Sequence, residues 1–144
     1  MPNNAMFLDA AYAIALASAT DRYHERAERL AERISRAGTR LLTTRAVMLE
    51  IGNVLAKQRF RAAAVELLDA LERDPAVEIV ALSEELCREA FALYGVRSDK
   101  EWGLTDCVSF VVMRRRNIVA APTADDHFRQ AGFRSLLLDE QSGQ

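Results

Sequence analysis

The chain has 144 residues, of which 50% are hydrophobic and 28% are charged. This length and composition are typical of one globular domain and exclude a disordered or fibrous chain. The formal net charge of −2 argues mildly against a protein that binds nucleic acid through phosphate contacts, for which a basic domain is the simple expectation. That objection weakens if many acids gather in one cation-binding pocket, because the remaining surface would then be basic.

Charged residues or glycines interrupt every apolar run before it reaches the ~18 residues of a membrane span, so we expect no membrane association. Residues 1–4 have neither the basic segment nor the long apolar stretch of a secretory signal, and we therefore expect a cytoplasmic protein. Cys87 and Cys107 form no Cys-x-x-Cys pair, which argues against a zinc site or a disulfide framework. We interpret both cysteines as small core residues.

Short apolar runs rich in β-formers alternate with segments of helical periodicity. The predicted strands comprise residues 5–8, 40–43, 77–80, 118–120 and 135–138. The predicted helices comprise residues 10–17, 22–37, 45–57, 61–73, 84–94, 106–115 and 125–130. This alternation predicts an α/β domain over residues 5–140, in which helices cover both faces of a mainly parallel sheet of about five short strands. We expect a frayed tail at residues 141–144.

Functional groups in such sheets gather at the carboxyl ends of the strands, and two acids lie where a strand or loop leads into a helix. Asp9 directly follows the first strand, where a carboxylate also serves as an N-cap that accepts unpaired amide protons. Asp106 opens a helix whose dipole favours an acid. Each residue therefore has a structural explanation as well as a functional one.

Glu50 is harder to explain structurally. It lies in the middle of a helix beside Val47, Ile51 and Val54, on the face that should contact the core. An unpaired carboxylate in such a place is unfavourable. Glu50 therefore either forms a salt bridge with an arginine at the solvent edge or belongs to a polar site.

Asp125 follows the fourth predicted strand. Thr123 and Asp126 have the spacing of a capping box, which would give Asp126 a structural role and leave Asp125 available for chemistry.

If these four acids converge, their repulsion should raise some of their pKa values and destabilise the fold unless a cation compensates. A set of carboxylates suits Mg²⁺ or Mn²⁺, and no His or Cys cluster recruits zinc. Such an ion lowers the pKa of a bound water and neutralises a scissile phosphate, as phosphodiester hydrolysis requires. The sequence therefore predicts a nuclease or phosphatase, since the motifs of nucleotide-dependent phosphotransfer, dinucleotide redox chemistry and serine hydrolysis are missing.

The remaining polar and aromatic candidates have simpler interpretations. We interpret His24 as a surface residue and His127 as a packing or capping residue near the last helix. Core packing is the simpler role for Trp102 and Phe128, although both could stack on bases. Residues 114–116 are three consecutive arginines that either complement a helix dipole or bind phosphate.

These residues resemble the PIN-domain family, in particular its bacterial VapC-like toxins, from residue 6 to residue 138. Residues 7–10 are similar to the family's first-strand aspartate motif, and residues 43–53 to its helix-borne glutamate segment. Residues 99–110, DKEWGLTDCVSF, are similar to a D-K-x-W-x-x-T-D-C-x-S-F block of one subgroup. Residues 123–133, TADDHFRQAGF, resemble its T-x-D-x-H-F-x-x-A-G-F ending. Four motifs in order are more specific than any single acid.

The resemblance implies a three-layer α/β/α fold, an acidic pocket for one or two Mg²⁺ ions (or Mn²⁺), and single-stranded RNA as the substrate. By position it assigns four catalytic, metal-binding acids: Asp9, Glu50, Asp106 and Asp125. It assigns three residues that support the metal or its waters: Asp99, Thr105 and Thr123.

The same resemblance implies a cognate antitoxin protein that blocks the pocket, and a homodimer. The predicted function is a metal-dependent endoribonuclease, the toxin of a type II toxin–antitoxin pair. Two alternatives stay open. One is a catalytically idle PIN-type module that binds RNA or protein, and the other is a housekeeping nuclease of RNA maturation.

Overall fold

The computed structural model describes residues 4–139, in which strands and helices alternate. The strands are β1 (Ala5–Phe7), β2 (Arg40–Thr44), β3 (Val77–Val80), β4 (Ala120–Ala121) and β5 (Arg134–Ser135). The helices are α1 (Ala10–Ala17), α2 (His24–Ala37), α3 (Arg45–Val54), α4 (Gln58–Arg73), α5 (Glu84–Val96), α6 (Leu104–Arg115), α7 (Asp126–Gln130) and α8 (Leu136–Asp139). Among residues 4–139, no helix is both long and apolar enough to cross a membrane. The predicted tail at 141–144 and the domain limit at residue 140 lie outside the described residues.

All strand pairs are parallel, as predicted. The first three strands form one sheet in the order β1-β2-β3, with Phe7 opposite Leu42 and Thr43 opposite Ile79. The two short strands β4 and β5 form a separate parallel pair, and β4 packs beside β1. The result is a three-layer α/β/α fold with few and short strands. The five expected strands are therefore present, but they divide into two ladders.

The predicted strand at residues 135–138 is wrong beyond Ser135. Residues 136–139 form helix α8, and the amide of Leu137 donates to the carbonyl oxygen of Thr123 at 3.1 Å. The neighbouring strand β4 ends at Ala121 because Pro122 follows, and proline has no amide proton to continue a ladder. The apolar run after Ser135 therefore has no strand to pair with.

Aromatic residues in the core fix the helices that carry the acids. Phe110 of α6 packs edge-on against Phe128 of α7 at 5.1 Å between ring centroids, and Phe7 of β1 lies 6.2 Å from Phe128. All three rings are fully buried. Trp102 packs edge-on against Phe110 at 4.9 Å, which confirms the core role of Trp102 and Phe128. Such pairs contribute about 0.5–1.5 kcal/mol each beyond their buried area.

The two cysteines differ in burial. Cys107 is fully buried, as predicted, but Cys87 is exposed. Helix α5 buries Leu86 and Ala90, which lie four residues apart on one face, and Cys87 stands beside that narrow face rather than on it. The prediction of a core role is therefore wrong for Cys87.

Candidate active site at the carboxyl ends of the strands

Four separate elements bring the four predicted acids to one place. Asp9 follows β1, Glu50 lies in α3 directly after β2, Asp106 lies in the first turn of α6, and Asp125 follows β4. Asp9 interacts electrostatically with both Glu50 and Asp125. Glu50 interacts with Asp106 and Asp125, and Asp106 interacts with Asp125. The acids therefore form one electrostatic cluster, although they are far apart in sequence.

Asp9 is the most buried member of the cluster, with 5% of its surface exposed. It occupies the N-cap position of α1 but makes no capping hydrogen bond through its side chain, so capping does not explain it. The pKa of Asp9 is raised from 3.8 to about 7, mainly by burial. The charges of Asp125 and Glu50 contribute to this rise, and the hydrogen bond from Thr123 acts against it. A nearby cation would offset this penalty.

Thr123 joins two of the acids. Its side chain is fully buried, and its hydroxyl donates to Oδ2 of Asp9 at 2.9 Å. The hydroxyl oxygen of Thr123 also accepts a hydrogen bond from the amide of Asp125 at 3.1 Å. Because the hydroxyl donates to Asp9 and accepts from Asp125, it holds Asp9 close to the segment that carries Asp125.

Asp125, rather than Asp126, caps the helix. Its Oδ1 accepts from the amide of His127 at 2.9 Å, and Asp125 is the N-cap of α7. Asp126 is already helical and accepts from the side-chain amide of Gln130 at 3.2 Å. The predicted capping box is wrong because the helix begins at Asp126, two residues later than a Thr123 cap requires.

Asp106 also combines a structural contact with a place in the cluster. Its Oδ2 accepts from the amide of Gly103 at 3.1 Å, at the beginning of α6, and only 17% of the side chain is exposed. Burial raises the pKa of Asp106, and the charge of Asp125 raises it further. The hydrogen bonds with the Gly103 amide and with His127 lower the pKa of Asp106.

His127 is the residue that the sequence analysis missed. Its Nδ1 lies 3.0 Å from Oδ2 of Asp106 and 3.4 Å from Oδ1 of Asp125. One ligand atom from each of these three residues lies within 4.8 Å of the other two, a group that could hold a metal ion. The signal in the sequence was its position two residues after Asp125, which places it in the same helical turn.

Glu50 has no arginine partner. Within residues 4–139 it forms no ion pair, so the interpretation as a salt-bridged surface residue is wrong. Partial burial raises the pKa of Glu50, and the charges of Asp106 and Asp125 add to that effect. Its carboxylate therefore faces other acids instead of a base.

An apolar groove begins at Glu50 and runs between α3, α5 and α6. Its volume is about 530 Å³, and its lining includes Leu49, Phe91 and Leu104, all of them exposed. Thr105, one of the predicted supporting residues, also lines it. The groove places an apolar surface directly beside the acidic cluster.

Two predicted supporting residues make no hydrogen bond to the four acids among the described residues. Asp99 accepts from Nε and Nη2 of Arg97 at 3.0 and 3.1 Å, and this pairing lowers the pKa of Asp99. The carbonyl oxygen of Thr105 accepts a hydrogen bond from the hydroxyl of Ser109. Of the three residues predicted to support the site, only Thr123 directly contacts an acid of the cluster through its side chain.

The consecutive arginines are largely engaged in ion pairs. Arg115 pairs with Glu89, and Arg116 donates to both carboxylate oxygens of Glu78 at 2.7 and 3.1 Å. A phosphate would compete with these carboxylates at two of the three arginines.

The donor set fits a divalent cation. It combines several carboxylates with one imidazole, and burial and mutual repulsion raise the pKa values of three of the acids. Carboxylate oxygens are the ligands that Mg²⁺ and Mn²⁺ prefer, while imidazole is a common ligand of transition-metal ions. The cluster can therefore hold a cation and gains stability when it does.

Comparison with known proteins agrees with this geometry. The PIN domain family model matches residues 6–134, a range that includes all four acids. Among solved structures, the chain is similar to the VapC20 toxin of Mycobacterium tuberculosis, described as cleaving the sarcin–ricin loop, with 25% identity and a TM-score of 0.79. That similarity covers 90% of this chain and 97% of the toxin chain. The search of curated proteins gave no match. Because the family model spans most of the sequence and its acidic cluster, the chain belongs to the PIN domain family.

Proposed function

We propose that this protein is a divalent-metal-dependent endoribonuclease that acts as the toxin of a toxin–antitoxin pair. The main support is the convergence of Asp9, Glu50, Asp106 and Asp125 from four separate elements of a PIN domain. Clustered carboxylates whose pKa values are raised by burial and by one another are typical of a functional site.

The proposed roles follow from the contacts of each acid. Asp9, Asp106 and Asp125 hold the ion, Thr123 keeps Asp9 in position, and His127 contacts Asp106 beside them. When bound, a divalent ion lowers the pKa of a coordinated water and neutralises the charge of a phosphate. Glu50 has a raised pKa and no cationic partner among residues 4–139, so its carboxylate is available to orient the attacking water and to accept its proton.

Three observations support RNA as the substrate. The similar VapC20 toxin is described as cleaving the sarcin–ricin loop. The groove beside Glu50 presents the ring of Phe91, which is 66% exposed and can stack on an unpaired base. Four of the 21 acidic residues belong to the cluster, so basic residues, of which there are 19, outnumber the acids elsewhere. The surface outside the site is therefore compatible with a polyanion.

We propose Mg²⁺ as the working ion, with Mn²⁺ as an alternative, and a cognate antitoxin protein and a homodimer as the macromolecular partners. The resemblance to VapC-like toxins is the support for these partners. Leu49, Phe91 and Leu104 offer exposed apolar surface next to the site, of the kind that protein partners cover.

The test is cleavage of a pool of labelled structured and single-stranded RNAs with Mg²⁺, with Mn²⁺ and with EDTA. The Asp106→Asn variant should lose cleavage and keep its circular dichroism spectrum. The Asp69→Asn variant, which alters an exposed acid of α4, should retain activity. Cleavage by Asp106→Asn at the wild-type rate would remove that acid from the mechanism.

Two further results separate the alternatives. Metal binding without cleavage of any RNA would favour the idle binding module. Growth arrest on expression, relieved by a small neighbouring gene product, distinguishes a toxin from a housekeeping nuclease.

A further inference from the structure

His127 directs one ring nitrogen at two acids that come from different elements. Its Nδ1 lies 3.0 Å from Oδ2 of Asp106 in α6 and 3.4 Å from Oδ1 of Asp125 at the end of the β4 segment. Neighbouring ligand atoms around an octahedral ion with bonds of about 2.1 Å lie about 3 Å apart. Both distances from Nδ1 are therefore close to the separation of neighbouring ligands of one cation, and one ligand atom from each of the three residues lies within 4.8 Å of the others.

The contacts around these side chains fix that arrangement. The amide of Gly103 holds Asp106 Oδ2 at 3.1 Å, and the amide of His127 itself holds Asp125 Oδ1 at 2.9 Å. The next residue, Phe128, is fully buried among core rings and anchors α7. Ligand groups that their surroundings fix in this way need little rearrangement when an ion binds.

A histidine with a purely structural role would need only one hydrogen-bond acceptor for Nδ1, whereas Nδ1 of His127 lies near two carboxylates. The imidazole of His127 remains 31% exposed and is not packed into the core, so packing does not account for its direction. Its side chain is more exposed than that of Asp106, of which 17% is exposed.

We infer that His127 supplies a nitrogen ligand, through Nδ1, to the divalent ion held by Asp106 and Asp125. This inference rests on the proposed function, since it concerns the metal of the same site. Imidazole suits transition-metal ions, whereas Mg²⁺ binds almost entirely through oxygen. The imidazole should therefore raise the affinity of the site for Mn²⁺ more than its affinity for Mg²⁺.

Metal binding to the full chain, without RNA, tests this inference. Mn²⁺ and Mg²⁺ are titrated separately into metal-free protein by calorimetry, and the bound Mn²⁺ is examined by pulsed electron paramagnetic resonance for coupling to a directly bound nitrogen. The wild type should show this coupling. His127→Ala should lose it and bind Mn²⁺ more weakly by on the order of tenfold or more, with a smaller change for Mg²⁺.

The chain contains only two histidines, which provides a matched control. His24 lies in α2 and contacts the carbonyl oxygen of Ala15 and the carboxylate of Glu28. His24→Gln should keep the nitrogen coupling. If His127→Ala does not fold, the coupling in the wild type and in His24→Gln still decides the question, because the only remaining imidazole is His127.

The possible failures are distinguishable. Mn²⁺ that binds in an Asp106-dependent manner without nitrogen coupling would overturn the role of His127 and leave the metal-dependent nuclease intact. Absence of binding by either ion, together with absence of cleavage, would overturn both. Equal weakening of Mn²⁺ and Mg²⁺ binding in His127→Ala, with no coupling in the wild type, would reduce His127 to a residue that positions the acids.

Discussion

Replacing Asp9 by asparagine should stabilise the metal-free protein at alkaline pH. The carboxylate of Asp9 is 5% exposed, and its pKa is raised from 3.8 to about 7, mainly by burial. Asparagine has nearly the same shape, and its carbonyl oxygen can still accept from the hydroxyl of Thr123. The substitution therefore removes a buried charge and keeps its main hydrogen bond.

The sign follows from proton binding. Between the two pKa values the folded protein binds more protons than the unfolded chain, so this acid lowers the stability of the fold as the pH rises. Each unit of pKa shift corresponds to about 1.4 kcal/mol, which gives a penalty of about 4 kcal/mol above neutral pH. Between about pH 5 and pH 8 the penalty grows by roughly 3 kcal/mol. Asp9→Asn lacks this pH-dependent penalty, because asparagine does not ionise.

Urea unfolding in EDTA, followed by circular dichroism at both pH values, measures the effect. From the lower to the higher pH, the free energy of unfolding of the wild type should fall by at least the penalty that Asp9 adds over this range. The free energy of unfolding of Asp9→Asn should fall by less. Asp69→Asn, with its exposed acid, should behave as the wild type. Added Mn²⁺ should stabilise the wild type at the higher pH more than it stabilises Asp9→Asn, because binding favours the folded state.

Two results would refute this account. One is an Asp9→Asn variant with the same pH dependence as the wild type. The other is a variant less stable than the wild type at the higher pH by more than about 1 kcal/mol, since a lost hydrogen bond of that size would then outweigh the charge.

Other substitutions test separate contacts. Thr123→Val removes a buried hydroxyl with two partners and should lower the free energy of unfolding, measured in urea, by about 1–3 kcal/mol. Its Mn²⁺ affinity should fall by about tenfold or more, and Thr123→Ser should restore binding. Asp125→Asn should keep α7 capped and bind Mn²⁺ weakly, whereas Asp125→Ala should also lose about 1 kcal/mol of stability; equal stability of the two variants would contradict the cap. Phe110→Ala should lose about 3–5 kcal/mol in the same assay, and a loss of under 1 kcal/mol would exclude its ring as the centre of the aromatic core. Asp99→Asn should leave the calorimetric Mn²⁺ affinity unchanged, and a clear decrease would place Asp99 at the metal after all.

The sequence predicted most of the fold because periodicity is local. Every predicted strand and helix is present at least in part, and the alternation of the two led correctly to parallel pairing. The exception at residues 136–139 arose because three consecutive leucines carry no period. Whether such a run forms a strand depends on a partner, and Pro122 ends that partner.

The convergence of the four acids was also predictable, but not how they are held. Asp9 and Asp125 follow strands, and parallel strands deliver such residues to one edge. The place of His127 depends on a contact across to α6, 21 residues earlier in the sequence, which no local pattern encodes. The exchange of roles between Asp125 and Asp126 came from a helix start displaced by two residues, within the usual error of boundaries.

Structural and metal-binding roles looked like alternatives in the sequence, yet in the proposed site single side chains combine them. Asp106 uses Oδ2 for both of its hydrogen-bonding contacts, with Gly103 and His127, and Asp125 uses Oδ1 for both of its contacts with His127. Within residues 4–139, the second oxygen of each of these carboxylates has no hydrogen-bonding partner. These contacts orient each carboxylate through the helix terminus, and each carboxylate keeps an oxygen that has no hydrogen-bonding partner within residues 4–139. A cap at the start of a helix is therefore a means of positioning a metal-binding carboxylate, because the backbone amides fix its direction without neutralising its charge.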